Sequence, residues 1–150
     1  MADIRPATIR EAGAVTACVR EAYAKYVGRI GREPAPMLVD YEAAILAGEA
    51  WVLVEGEATA GVLVMRSEED HLFVETVAVR SGWQGKGLGR KLMAFAEGTA
   101  RDRGQREIRL YTNEKMTENL PFYRSLGYEE TGRGLDEGYR RVFMRKRLRV

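Results

Sequence analysis

Three glycines alternate in the run Gln84-Gly85-Lys86-Gly87-Leu88-Gly89. Glycine tolerates positive φ and lets backbone approach a ligand closely. The apolar segment Leu72-Phe73-Val74-Glu75-Thr76-Val77-Ala78-Val79 precedes the run, and Leu88, Leu92, Phe95 and Ala96 follow at helical spacing. Backbone N–H groups at a helix start, with the helix dipole behind them, make an anion site. The run therefore reads as a phosphate cradle. A dinucleotide fingerprint needs G-x-G-x-x-G with an acidic residue about 20 positions on, and here the third glycine is misplaced. A P-loop needs a hydroxyl after its Gly-Lys pair, and Gly87 stands there instead. A glycine-rich turn without a ligand is the plain alternative, but each glycine raises the entropy cost of ordering.

The elements around the cradle follow from periodicity and punctuation. Ile4 to Ala7 reads as a short strand. Thr8 and Glu11 fit a capping box that opens a helix to about Val27. Gly28 to Met37 reads as a loop, and Asp40 to Leu46 as a second helix stopped by Gly48. Trp51–Val54 and Gly61–Met65 flank a glycine-bearing turn and form a hairpin. Leu72 to Val79 is the next strand. The helix after the glycines ends at Arg103-Gly104, a cation in the last turn and a glycine just beyond. Glu107 to Tyr111 alternates as a strand, Thr117 to Leu126 is a short helix, and Tyr128–Arg133 and Tyr139–Leu148 close the chain. The order is β-α-α-β-β-β-α-β-α-β-β. Tight turns between the middle strands predict a mixed α/β (α+β) sheet, not a doubly wound parallel one.

The chain of 150 residues suits one domain, residues 1–150, able to bury a core without staples. One cysteine, Cys18, excludes an intrachain disulfide framework, and with one histidine, His71, a structural zinc site is not expected. No metal is expected. No apolar run approaches the ~20 residues of a membrane span, and no signal-peptide core stands at the N-terminus. The expectation is a cytoplasmic protein with no membrane partner. The net charge of +2 does not by itself imply nucleic acid. Arg140-Arg141 and Arg145-Lys146-Arg147 are read as charges guarding an exposed sheet edge. Few aromatics interleave with them, so no nucleic-acid partner is expected.

Gln84-x-x-Gly87-x-Gly89, after a strand ending Val77-Ala78-Val79, resembles the acyl-CoA signature of the GNAT acetyltransferase superfamily. Asn119-Leu120-Pro121-Phe122-Tyr123-Arg124-Ser125-Leu126-Gly127-Tyr128 resembles the superfamily's later helix-plus-strand motif. The resemblance covers nearly the whole chain, more strongly from about Trp51 onward. It implies a mixed, mainly antiparallel central sheet with helices on both faces. It also implies that backbone N–H groups of Gln84, Gly85, Lys86, Gly87, Leu88, Gly89 and Arg90 hold the pyrophosphate of acetyl-CoA, the cosubstrate. Val77 and Val79 would pair with the pantetheine arm like an added strand. That strand would splay from Glu107–Tyr111, with the thioester in the gap. Arg90 and Lys91 could favour the CoA phosphates, a solvated helix face being the alternative for Lys91.

Acetyl transfer to an amine has two proton problems. A lysine-like amine, pKa about 10.4, is neutral in only about one molecule in a few thousand at pH 7. The thiolate must also be protonated as it leaves. By resemblance Tyr123 is the proton donor near sulfur, since a phenol stays protonated at neutral pH; a core tyrosine is the alternative. Glu75, expected on one strand face with Phe73 and Val77, is the base candidate, directly or through water; an ion pair or solvated face is the alternative. Asn119 lies one turn before Tyr123 and could bond the pantetheine amides or serve the helix start. The sequence departs from the family pattern at Met116, where many members have asparagine. Tyr23, Tyr26, Met37, Tyr41 and Tyr111 are candidates for the acceptor pocket, where aromatics could hold an amine, and ordinary core packing is their alternative. His71 is read as a turn residue, and Cys18 as a buried residue rather than a nucleophile.

These readings imply N-acetyl transfer from acetyl-CoA to a small-molecule or peptide amine, directly in a ternary complex. A non-catalytic acyl-CoA-binding or sensing module is the alternative. The open C-terminal edge leaves room for a homodimer.

Overall fold

The computed structural model describes residues 3–149. The chain runs through β1 (Asp3–Pro6), α1 (Ala12–Tyr23), α2 (Val27–Ile30), α3 (Tyr41–Leu46), β2 (Ala50–Glu55), β3 (Ala58–Ser67) and β4 (Leu72–Val79). It continues through α4 (Leu88–Asp102), β5 (Glu107–Asn113), α5 (Asn119–Ser125), β6 (Glu129–Asp136) and β7 (Tyr139–Arg147). One sheet takes the order β1-β2-β3-β4-β5-β7-β6. Every pairing is antiparallel except β4 with β5. The expected mixed, mainly antiparallel sheet is therefore present. No helix among the described residues is long and apolar enough to cross a membrane.

Alternation along the strands makes two cores, one per face. Leu53 and Leu63 pack with Leu92, Met93 and Ala96 of α4 and with Tyr123 of α5. Their neighbours Val52, Val62 and Val64 pack with Val15 and Val19 of α1 and with Tyr41 and Ile45 of α3. Helices thus cover both faces.

The first helix is shorter than expected. Glu11 does accept the Thr8 N–H at 2.8 Å, as a capping box requires, but it caps a 3₁₀ turn, Ile9–Glu11, ahead of α1. A second 3₁₀ turn, Ala24–Tyr26, breaks the helix before Val27. Residues three apart eclipse in such a turn. Tyr23 and Tyr26 lie on the same side, with ring centroids 5.9 Å apart.

A β-bulge decides the geometry of β4. Met65 pairs with Val74 and Val64 with Thr76, so Glu75 is the extra residue. A bulge bends its strand and reverses the inward sense of the residues beyond it. Val74 belongs to the α4-side core, whereas Ala78 belongs to the α1-side core. The expectation that Phe73, Glu75 and Val77 share one face is therefore corrected. Phe73 meets Tyr111, with ring centroids 5.5 Å apart, while Val77 packs against the α4-side core.

The bulge also ends the pairing with β5. Only Leu72↔Ile108 and Phe73↔Arg109 pair, and beyond them the strands diverge. A second correction concerns the C-terminus. β7 lies inside the sheet, between β5 and β6, so its basic residues do not guard an edge. Arg141 has a side chain only 4% exposed and is paired with Asp136. The edge is β6, which is almost wholly exposed.

Candidate active site

The glycine run folds as its residue types dictate. Gly85 and Gly87 take left-handed φ of 81° and 78°, which L side chains adopt only with strain. Gly89 is constrained differently, because a Cβ there would meet the Phe122 ring at 3.3 Å. The loop delivers the chain into α4, whose first internal bond is Lys91 N–H to Gly87 carbonyl at 3.1 Å. Among the described residues, no acceptor engages the N–H groups of Gly85 to Arg90. These donors and the helix dipole together make an anion site.

The site opens into a groove of about 540 Å³ lined by Val77, Ala78, Val79, Gln84, Gly85, Gly87, Leu88, Gly89 and Arg90 on one side. Tyr23, Tyr26, Glu118, Asn119, Phe122 and Tyr123 complete it. Lys86 is not in the lining; its ammonium sits 4.9 Å from the centroid of the Trp83 ring. Arg90 reaches Ser125 Oγ at 3.4 Å.

The gap between β4 and β5 leaves backbone groups facing the groove. The Arg80 N–H donates to the Ala60 carbonyl at 2.8 Å, which fixes the ladder's parity. In an antiparallel ladder the N–H and C=O groups of alternate residues point to opposite sides. Those of Val77 and Val79 therefore point away from β3, into the gap. Both carbonyls are engaged there by side chains: the Tyr23 hydroxyl donates to Val77 at 2.8 Å, and Gln84 Nε2 to Val79 at 2.9 Å. The two N–H groups remain as donors for an extended ligand.

A second, much tighter cavity, about 40 Å³, occupies the gap beyond the bulge. Its walls include Glu75, Tyr111, Thr112, Asn113, Met116, Tyr139, Arg141 and the Pro34–Pro36 segment. The groove and this cavity have four lining residues in common: Tyr23, Val77, Asn119 and Tyr123. These mark the junction where two ligands would meet.

Tyr123 is 8% exposed, and its ring packs on Phe122 and Tyr128 at centroid distances of 5.1 and 5.8 Å. Its hydroxyl has no hydrogen-bond partner among the described residues, yet it is not sealed from the cavities. Burial raises its pKa well above the ordinary phenol value. It is a protonated donor without a protein acceptor. Glu75 lines the second cavity and accepts from Arg66 Nη1 at 3.1 Å. Asn119 uses Nδ2 on Thr112 Oγ1 at 3.1 Å and on Met116 Sδ at 3.5 Å, tying α5 to β5.

The acceptor candidates divide. Tyr23 and Tyr111 line the second cavity. Tyr26 lines the groove instead, between Lys25 and Arg29, whose cations lie 5.1 and 5.2 Å from its ring centroid. Met37 and Tyr41 lie in the α1-side core, and the Tyr41 hydroxyl bonds the Pro36 carbonyl and Thr76. Cys18 is fully buried, and burial pushes its thiol up to about 11. His71 meets Asp70 at 2.6 Å in the turn before β4. Sequence reasoning missed Thr112, Asn113, Tyr139 and Arg141, which reach the cavity only through the β5–β7 pairing.

Comparison with known proteins gives the family and the fold. The chain is 31% identical over 105 residues to the aminoglycoside N(6')-acetyltransferase type 1 of Stenotrophomonas maltophilia, covering 64% of this chain and 66% of that one. It is 45% identical over 58 residues to N-alpha-acetyltransferase 80 of Mus musculus, covering 39% of this chain and 17% of that one. The matches thus span less than two thirds of either relative. The PaiA N-acetyltransferase of Thermoplasma acidophilum, solved in complex with coenzyme A, has the same fold: the TM-score is 0.79 at 15% identity, over 98% of this chain and 99% of that one. Residues 16–128 match the acetyltransferase (GNAT) family, and the chain belongs to that family.

Proposed function

We propose that residues 1–150 act as one acetyl-CoA-dependent N-acetyltransferase domain, moving the acetyl group directly to a primary amine in a ternary complex. The observation that carries this reading is the junction of the two cavities at Tyr23, Val77, Asn119 and Tyr123. One cavity ends in an anion site and fits a long phosphate-bearing donor. The other is lined by aromatic rings and Glu75 and fits an amine.

Each residue then has a role. N–H groups of the loop from Gly85 to Arg90 hold the pyrophosphate, while the Gln84 N–H is held by the Ser81 carbonyl at 3.4 Å. The N–H groups of Val77 and Val79 bind the pantetheine arm and polarise the thioester carbonyl. Glu75, or a water it orders, takes the proton from the amine. The amine nitrogen bonds to the carbonyl carbon and the carbon–sulfur bond breaks. Tyr123 gives its phenolic proton to the sulfur and is reprotonated from solvent. Asn119 positions the junction through Thr112. The names of the two relatives point to an aminoglycoside and to an α-amine acceptor, and both classes present the amine this site needs.

The test is release of free thiol from acetyl-CoA across polyamines, amino acids, aminoglycosides and peptides with free N-termini. Turnover with at least one class is expected. Micromolar CoA binding without turnover on any amine would instead make the protein an acyl-CoA-binding module.

A further inference from the structure

We propose that Glu118 is a positioning residue for the donor: its carboxylate latches the segment from Lys25 to Arg29 to the start of α5, across the mouth of the donor groove. This rests on the acetyltransferase reading and concerns how its cosubstrate is held.

Two walls of the groove come from distant parts of the chain. One carries Tyr23, Lys25 and Tyr26, and the other Glu118, Asn119, Phe122 and Tyr123. Glu118 joins them. The Arg29 guanidinium donates to both oxygens of its carboxylate, at 2.5 and 3.3 Å. The Tyr26 hydroxyl donates to Glu118 Oε2 at 3.5 Å, and Lys25 Nζ lies 3.5 Å from the same oxygen. Lys25 and Arg29 also share the Tyr26 ring, so their charges are close together. The carboxylate offsets their repulsion.

Glu118 stands at the N-cap of α5, yet its side chain makes no capping bond. Capping is what a short acidic side chain does at such a place, and this one turns to α2 instead. The hydrogen bonds from Arg29 hold its carboxyl down at about 2, so the latch stays charged.

Such a tie matters because α5 has only seven residues, too few to hold their own place without tertiary contacts. Its start is fixed to β5 by Asn119 on Thr112, and to α2 by Glu118 on Arg29. Tyr123, one turn after Asn119, moves with that start. The latch therefore sets the gap between Tyr23 on one wall and Tyr123 on the other.

Lys25, Arg29 and Glu118 are exposed, whereas Tyr23 and Tyr123 on the same walls are buried. The latch thus spans the rim, and a donor arm along Val77 and Val79 lies beneath it. Exposed ion pairs are weak and are screened by salt. The latch opens readily to admit the arm and, once closed, slows its departure.

The experiment measures release of bound coenzyme A by stopped-flow tryptophan fluorescence, Trp83 being part of the groove lining. Glu118→Gln should release it ~10-fold faster or more. The KM for acetyl-CoA should rise with it, while the KM for the amine stays within about twofold. Arg29→Glu combined with Glu118→Arg should bring release back to within about threefold of the wild type, and either reversal alone should not. Unchanged release in Glu118→Gln overturns this inference alone. So does a charge exchange that restores nothing, or an amine KM that rises as much as that for acetyl-CoA. Absence of coenzyme A binding by the wild type removes the acetyl-CoA reading and this inference with it.

Discussion

The Tyr23 hydroxyl donates to the Val77 carbonyl at 2.8 Å, joining the end of the first helix to the open side of β4. Tyr23 is 9% exposed, and Val77 lies at the junction of the two cavities. Tyr23→Phe would leave the carbonyl without its donor and free the strand edge to shift. Thermal or denaturant unfolding should report a loss of about 1 kcal/mol. Steady-state kinetics should show a raised KM for acetyl-CoA.

Tyr123 gives the opposite pattern. Its hydroxyl has no protein partner among the described residues, so Tyr123→Phe should change stability by less than about 0.5 kcal/mol. Thiol release should nevertheless fall ~10²-fold or more if the phenol protonates sulfur. Its raised pKa keeps the phenol protonated through neutral and mildly alkaline pH. The alkaline limb of kcat should therefore not come from Tyr123 in that range. Unchanged turnover in the variant would remove it from the proton-donor role.

The glycines of the cradle are not equivalent. Gly87→Ala places an L side chain at a φ of 78°, costing about 1–2 kcal/mol. Gly89→Ala pushes a Cβ to within 3.3 Å of the Phe122 ring, so the ring or α4 must give by a few tenths of an ångström. Calorimetric titration with CoA should show weaker binding for both. The loss in Gly89→Ala should be partly recovered by also making Phe122→Leu, and the loss in Gly87→Ala should not.

The cradle, its strand and its helix were legible because glycine spacing, apolar runs and helical periodicity are local signals. The second cavity was only half legible. Tyr123 and Asn119 sit on a motif, but Tyr139 and Arg141 sit on a strand whose charges read as an exposed edge. Only the insertion of β7 between β5 and β6 buries them. The bulge at Glu75 left no trace, because burial alternates without a break from Leu72 to Val79 while the face reverses beneath it. The break after Tyr23 was hidden likewise, since the bond from Tyr23 to Val77 at that point joins residues far apart in the chain.

Away from the site, acid stability should depend on Glu11. Its hydrogen bonds to Arg5 at 2.8 and 2.7 Å, helped by the Thr8 N–H, lower its pKa from 4.5 to about 2. A lowered carboxylate pKa contributes stability above the ordinary value and loses it as pH falls through the folded value. Arg5 is 42% exposed, so the contribution is screened to about 1 kcal/mol or less. The stability gap between wild type and Arg5→Ala should be present at pH 7. It should close between pH 4.5 and about 2, measured by urea unfolding.

The most direct measurement is a crystal structure with coenzyme A bound. The pyrophosphate should lie on the N–H groups of Gly85 to Arg90 and the pantetheine along Val77 and Val79. The sulfur should lie within about 3.5 Å of the Tyr123 hydroxyl. Coenzyme A bound outside this groove, or with its sulfur turned away from the Tyr123 junction, would contradict it.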